Sequence, residues 1–498
     1  MKYHFIGVIS EIHMNDRMIL RVLSITLCLV AALMLPALLL ALIWHEGAAA
    51  KGFAVTICLM LLLSLVTFLK PPHKTTLYAK DGFIIVALAW IMISLLGALP
   101  FVLSGEIPSY VDALFETVSG LTTTGASILQ NVEAMSRSLL YWRSFTIWLG
   151  GMGVLVFLLA IASFGGSSGD SLFIMRAESP GPQVSKLVPK TMQTARILYT
   201  IYISMTFVQT ALLILGGMPV FDSVLTAFAT AGTGGFGIKA DSMASYSPYL
   251  QWVITVFMAL FGVNFGIYYL LLMRSFKRAA LDEELRFYFS LILAATAVIT
   301  IAILPLYQNN FGTALRHAAF QTVSIITTTG YASTDFAYWP QICQTIIFLL
   351  MLVGGCAGST GGGVKCSRVL ILFKAVRVEI RKMLYPNLVR PVKMDGKTVP
   401  DDTVRGVYAF FGAYAFLFIL SMLLISLDQY QFESSFSAVL SCLNNVGPGL
   451  NEIGPMASYG HFSTLSKLVL TLDMLLGRLE IFPILLLFVP HIWKKARD

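Results

Sequence analysis

The sequence predicts an all-α polytopic membrane protein: an N-terminal two-helix hairpin followed by four parallel repeats of span, pore helix and span around one pore. Three observations predict it. Of the 498 residues, 57% are hydrophobic and 12% charged, with a mean hydropathy of +0.79, whereas soluble domains carry about 25% charged residues. Apolar runs of about twenty residues recur along the chain, each long enough to cross a bilayer. Four short segments of one polar, glycine-containing pattern lie between pairs of those runs. A soluble cytosolic enzyme, a collagen, a disordered chain and a disulfide scaffold are excluded together.

The spans fall at 22–44, 52–69, 82–104, 139–163, 198–217, 249–273, 287–307, 341–374, 405–427 and 464–490. The first apolar run, Val22 to Trp44, is longer than the roughly 7–15-residue core of a signal peptide, so it reads as a retained helix. With the second span it forms an N-terminal domain over 1–78. Pore repeats follow at 79–165, 197–275, 286–376 and 404–498, joined by cytoplasmic linkers at 166–196 and 377–403.

Charge orients this array. Ten spans place both termini on one side, and 27 of the 34 Lys and Arg residues then fall on that same side. Cytoplasmic loops carry the excess of basic residues, so both termini are expected in the cytoplasm. The net charge of +8 is therefore a topology signal, and no nucleic-acid partner is expected. The loop from Lys365 to Arg405 alone holds ten basic residues, suited either to anionic lipid or to docking of a protein. The six cysteines form no CxxC pair and read as small core residues.

The repeats carry the functional signal. The four segments end at Thr122-Thr123-Thr124-Gly125, Ala229-Thr230-Ala231-Gly232, Thr327-Thr328-Thr329-Gly330 and Asn444-Asn445-Val446-Gly447. Their glycines are 107, 98 and 117 residues apart, and each is followed 24 to 30 residues later by Gly151, Gly262, Gly354 or Gly477 inside the next span. Each unit holds two spans, so all four start on the same side and all four loops dip in from outside. Irregular backbone at membrane depth is tolerated only where it lines a cavity or is buried in protein. Four parallel copies would bring these loops to one mouth.

A cation crossing there must exchange hydration water for other oxygens, as rings of backbone carbonyls supply in potassium filters. Glycine admits the backbone conformations that turn successive carbonyls to one axis. The pore helix before each loop presents the partial negative charge of its carboxyl end. The predicted cation-binding filter is Thr123, Thr124 and Gly125; Thr230, Ala231 and Gly232; Thr328, Thr329 and Gly330; and Asn445, Val446 and Gly447. Eleven acidic residues against six basic ones on the outer side also favour cations.

Trp148 to Gly153, Gly354 to Gly363, Leu476-Gly477-Arg478-Leu479-Glu480, Thr327 to Gly330 and Asn445-Val446-Gly447-Pro448-Gly449 resemble signature stretches of the Trk/Ktr/HKT superfamily of potassium transporters. The resemblance covers nearly the whole chain, and the two extra N-terminal helices place it with the TrkH branch. It implies a single-chain pseudo-tetrameric pore for potassium uptake across the bacterial inner membrane. It also implies assembly as a homodimer and control by a TrkA-like cytoplasmic nucleotide-binding ring, since no nucleotide-binding domain is encoded in this sequence. Gly125 places the chain with potassium-selective relatives; serine there goes with sodium. Ala231 and Val446 depart from the ThrThrGly pattern, so the four filter walls are chemically unequal.

Two features suggest a gate. Six of the ten residues from Gly354 to Gly363 are glycine, and each costs a helix about 1 kcal/mol relative to alanine. The eighth span is therefore expected to break there, exposing Gly354, Gly355, Gly358, Ser359, Thr360, Gly361, Gly362 and Gly363 as a loop. The resemblance places that loop below the filter as the gate. Arg478 lies near the middle of the last span, where an arginine costs roughly 2.5–3.5 kcal/mol on insertion scales, so it faces a cavity or a partner. Either it pairs with Asp473 or Glu480, or it forms an electrostatic barrier to cations, as the resemblance implies.

Other motifs carry less. Gly232-Thr233-Gly234-Gly235-Phe236-Gly237 matches GxGxxG, but it follows a pore-helix pattern and lacks the acidic residue of a dinucleotide site. Gly361 to Lys365 lacks the ending of a phosphate loop. The seven histidines show no ligand spacing, and His317 reads as a packing or hydrogen-bonding residue. No cofactor is expected beyond K⁺ as the transported and bound ion. The reading is gated passive permeation. A Na⁺- or H⁺-coupled symporter is the alternative, and a polytopic membrane enzyme a more distant one.

Overall fold

The computed structural model describes residues 16–68, 79–151, 153, 191–387 and 390–490. The first linker up to residue 190, residues 1–15 and the basic tail lie outside the described residues.

Two apolar helices open the chain, α1 (Asp16–Ile43) and α2 (Gly47–Phe68). They pack against each other, and α1 also packs against the first repeat. The first repeat holds α3 (Ala79–Gly97), the short α4 (Leu99–Leu103), the pore helix α5 (Tyr110–Leu121) and α6 (Arg137–Gly151). The second holds α7 (Thr191–Leu215), the pore helix α8 (Val220–Gly232), α9 (Pro248–Phe261) and α10 (Phe265–Leu272). After a short α11 (Phe276–Leu281), the third holds α12 (Glu283–Ile303), the pore helix α13 (Phe311–Ile326), α14 (Gln341–Val353) and α15 (Cys366–Leu384). A β-hairpin of β1 (Lys393–Met394) and β2 (Lys397–Thr398) precedes the fourth. That repeat holds α16 (Asp401–Ile425), the pore helix α17 (Phe432–Leu443), α18 (Thr464–Arg478) and α19 (Phe482–Leu487).

Among the described residues six helices are long and apolar enough to cross a membrane, and a bent pair supplies a seventh. Their outer faces carry exposed leucine, isoleucine and phenylalanine, including Phe207, Leu215 and Ile301, the face a lipid phase requires. The chain is a multi-pass membrane protein.

Packing between repeats is cyclic. Within each repeat the pore helix touches the helix before it and the helix after it. Between repeats, α6 packs on α8, α9 on α13, α14 on α17, and α18 on α5. The last contact returns the fourth repeat to the first. Close approach makes the α6–α8 contact possible: a methyl group on Gly232 would collide with the Ile147 carbonyl, and one on Gly151 with the Gly232 backbone.

The sequence led us to expect one broken span, and the described residues hold three. Helices α9 and α10 meet at 89° across Gly262–Asn264, where the Asn264 side chain caps the new helix by accepting from the Gly266 N–H at 2.8 Å. The last span breaks at Glu480 and Ile481, both at positive φ (55° and 70°), before Pro483 in the first turn of α19. The expected break after Val353 is present: α14 ends there and α15 begins at Cys366.

Candidate functional site: four converging loops and the strand beneath them

Each pore helix begins near the surface and buries its carboxyl end. The Ser109 and Asn310 side chains cap α5 and α13 by accepting from the Asp112 and Thr313 N–H groups. At the other end a single left-handed residue stops each helix: Thr123, Thr233, Thr328 and Asn445, with φ of 55°, 56°, 57° and 55°. The backbone hydrogen bonds there repeat as well. The N–H groups of these residues donate to the carbonyls of Gly120, Thr230, Ile325 and Cys442. The next N–H groups donate to Ser119, Ala229, Ser324 and Ser441. Two residues past each stop stands a glycine at positive φ: Gly125, Gly235, Gly330 and Gly447.

This register corrects the second filter segment read from the sequence. Thr230, Ala231 and Gly232 lie inside α8, and the Thr230 hydroxyl donates to the Thr226 carbonyl one turn back. Their string imitates the other three only in composition. The structural equivalents are Thr233, Gly234 and Gly235, three residues on. They belong to the GxGxxG string that the sequence offered as a failed dinucleotide motif. In the first, third and fourth segments the predicted Thr123 to Gly125, Thr328 to Gly330 and Asn445 to Gly447 occupy equivalent backbone positions.

The four glycines close a ring. A methyl group on Gly125 would strike the Gly234 carbonyl, one on Gly235 the Thr329 carbonyl, one on Gly330 the Val446 carbonyl, and one on Gly447 the Thr124 carbonyl. Each glycine thus lies against the residue preceding the glycine of another segment, and the fourth contact returns to the first. Both the positive φ and the close approach demand glycine here. All four glycines also line one cavity of about 370 Å³.

The threonine side chains brace this ring. Thr122 and Thr327, which sequence reasoning passed over, donate to the Val118 and Val323 carbonyls at 2.7 Å each. Their oxygens then receive the Thr124 and Thr329 hydroxyls at 2.7 and 2.8 Å. The repeated ThrThrThrGly string held the signal for this role. Behind the first segment, buried Glu116 pairs with Arg143 (2.6 Å) and accepts from the Ser127 hydroxyl and the Ile128 N–H. Arg143 also donates to the Gly237 carbonyl at 3.0 Å and covers the Phe236 ring, joining the first and second segments. His317 packs as expected, stacked on Tyr307 with Nδ1 2.9 Å from the Ser333 hydroxyl.

Directly against the third and fourth segments lies the glycine-rich strand 354–365. The Gly362 N–H donates to the Thr328 hydroxyl at 2.6 Å, and a methyl group on Gly362 would stand 2.7 Å from Asn445 Cβ. Gly361 likewise faces the Thr327 carbonyl. Gly354, Gly358 and Gly363 adopt positive φ. The strand docks into the break of the second repeat: Cys356 N–H donates to the Gly262 carbonyl and the Gly358 carbonyl accepts from Phe265 N–H, both at 3.0 Å. The Thr360 hydroxyl donates to the Phe261 carbonyl. Gly355 accepts from Cys366 N–H, and the Ser359 hydroxyl donates to the Cys356 carbonyl.

Arg478 reaches this strand. Its Nη1 donates to the Thr360 carbonyl at 2.8 Å and its Nη2 to the Gly150 carbonyl at 2.7 Å, bridging the strand to the first repeat. The two acidic residues considered as its partners are engaged elsewhere. Glu480 pairs with Arg368, and Asp473 accepts from Ser421 at 2.7 Å.

A family model described as a cation transport protein, TrkH, matches residues 45–495. The Trk system potassium uptake protein TrkH of Salmonella typhimurium is 36% identical over 97% of this chain and 100% of its own length. The TrkG protein of Escherichia coli is 33% identical over 93% and 95% of the two chains. The crystal structure of the potassium transporter TrkH from Vibrio parahaemolyticus superimposes with a TM-score of 0.85 at 33% identity, covering 97% of this chain and all of that one. With the matched span running across all four repeats, the chain belongs to the TrkH family of cation transport proteins.

Proposed function

We propose that this chain takes up potassium across the bacterial inner membrane by gated passive permeation through a single-chain, pseudo-tetrameric pore. The closed ring of Gly125, Gly235, Gly330 and Gly447 carries this reading. Carbonyls of the ring segments, with Thr124, Gly234, Thr329 and Val446 before the glycines, replace the hydration shell of K⁺. The carboxyl ends of α5, α8, α13 and α17 add partial negative charge around the same point. The TrkH and TrkG relatives are potassium uptake proteins by name, which supports K⁺ as the ion.

The strand 354–365 is the gate in this reading, because it lies against the third and fourth ring segments on the side away from the glycine-lined cavity. Arg478 holds it closed through Thr360 and places a positive charge in the cation path. Both termini are cytoplasmic, the membrane subunit is a homodimer, and a TrkA-like nucleotide-binding ring controls the gate from the cytoplasm. The basic loop from Lys365 to Arg405 supports docking to that ring or to anionic lipid.

Purified protein in liposomes tests the reading, with K⁺ and Na⁺ uptake compared under equal gradients. K⁺ flux exceeding Na⁺ flux, and running down its gradient without a second ion, is the expected result. Negligible flux of both ions, with the cytoplasmic partner also supplied, contradicts it.

A further inference from the structure

We infer that the neighbouring residues Glu283 and Glu284 couple the cytoplasmic hairpin at 393–398 to the strand at 354–365, with Glu284 acting as a positioning residue for the gate. The inference rests on the reading of that strand as the gate.

Glu284 is buried at the start of α12, 6% exposed. One of its carboxylate oxygens accepts from Ala357 N–H at 2.7 Å and from Ser367 N–H at 2.9 Å. Those two residues flank the glycine-rich tip, one on each limb, so both feet of the strand are fastened to a single atom. The Glu284 clasp adds two bonds at one atom to the backbone bonds that seat the strand on Gly262, Phe265 and Cys366.

Glu283, one residue earlier, holds a different element. Its carboxylate pairs with Lys374, and its N–H donates to the Asp395 carboxylate at 2.9 Å. Lys374 in turn donates to the Lys393 carbonyl at 2.9 Å. Asp395 and Gly396 form the tip of the hairpin, both at positive φ (50° and 74°), the conformation of a tight two-residue turn. Val392, Met394 and Val399 bury themselves in one small cluster with Ile371, Ala375 and Val407. The hairpin therefore moves as a body with the start of α16 and the middle of α15.

Adjacent residues on a helix do not face each other, so this helix start points one side chain at each element. A displacement of the hairpin pulls on the Glu283 backbone and shifts Glu284, one peptide away. A regulator bearing on the hairpin from the cytoplasm reaches the gate by this route without entering the pore.

The test uses full-length protein in liposomes, with K⁺ and Na⁺ flux measured in the absence of any partner. Glu284→Ala is expected to raise K⁺ flux about fivefold or more with the K⁺/Na⁺ ratio unchanged, and Glu284→Gln, which keeps an acceptor oxygen, to return most of the closure. Asp395→Gly keeps the turn but removes the acceptor; it should raise flux about twofold and add nothing in the Glu284→Ala background, as expected for residues acting on one path. If Glu284→Ala does not yield monodisperse protein, Asp395→Gly alone carries the test. Deletion of residues 359–362 serves as the control. Raised flux in the deletion but none in Glu284→Ala or Asp395→Gly overturns the coupling and leaves the gate intact. No rise in any of the three removes the gate reading and this inference with it. Raised flux with lost selectivity in Glu284→Ala also overturns it, because the residue then supports the filter.

Discussion

The side-chain amide of Asn445 donates to the Thr124 hydroxyl at 3.0 Å, joining segments 321 residues apart. The same amide nitrogen donates to the Met474 carbonyl at 2.8 Å. Thr122 spends its own proton on Val118, so Thr124 donates to Thr122 and turns a lone pair toward Asn445. The fourth segment is thereby tied to the first by a bond whose direction is set on both sides.

Asn445→Ala removes that tie. A buried hydrogen bond contributes about 1 kcal/mol net, and its loss here loosens the seam between Gly447 and Thr124. The K⁺/Na⁺ permeability ratio in liposomes should fall about fivefold while the protein still purifies as a single species. An unchanged ratio would separate the seam from selectivity.

The corrected register of the second segment makes a contrast. Gly235→Ser places a side chain against the Thr329 carbonyl, and Gly330→Ser places one against the Val446 carbonyl, both at positive φ, so each should loosen selectivity. Ala231→Ser alters a residue within α8 and should leave the K⁺/Na⁺ ratio as it is. Equal loss in both variants would refute the register.

Arg478→Ala removes a charge and the two carbonyl contacts at Thr360 and Gly150. Partner-free K⁺ flux should rise at least tenfold, and Arg478→Lys should fall between, since it keeps charge without the two-pronged geometry. Flux unaltered by Arg478→Ala would sink the barrier role.

Breaking the Glu116–Arg143 pair acts on stability. Both side chains are almost fully buried, and removing one partner of a buried pair costs about 3–5 kcal/mol. Glu116→Ala should lower the thermal midpoint of the detergent-solubilised protein by several degrees, read by size-exclusion after heating. Wild-type behaviour would mean that Ser127 and Gly237 hold the corner without the ion pair.

Much of this architecture was legible in the sequence because its signals are local. Apolar runs mark spans, and Thr122-Thr123-Thr124-Gly125 and Thr327-Thr328-Thr329-Gly330 repeat outright. Six glycines in ten residues announce the break after Val353. The second segment misled because what defines it is the left-handed backbone at Thr233 and the tight approach at Gly235, neither of which requires a ThrThrGly string. Arg478 was visible as a cost, but two of its partners are carbonyls, and every residue has one. Glu284 was invisible for a related reason: its two partners are backbone N–H groups 73 and 83 residues away. The breaks at Asn264 and Glu480 carry no glycine run to mark them.

If the four ring segments hold potassium, crystals grown with Tl⁺ in place of K⁺ will show an anomalous peak on the axis enclosed by Thr124–Gly125, Gly234–Gly235, Thr329–Gly330 and Val446–Gly447. That peak should weaken when excess K⁺ competes and be lost in Gly330→Ser. An empty ring at saturating Tl⁺, with the ion bound elsewhere in the chain, would contradict the potassium reading.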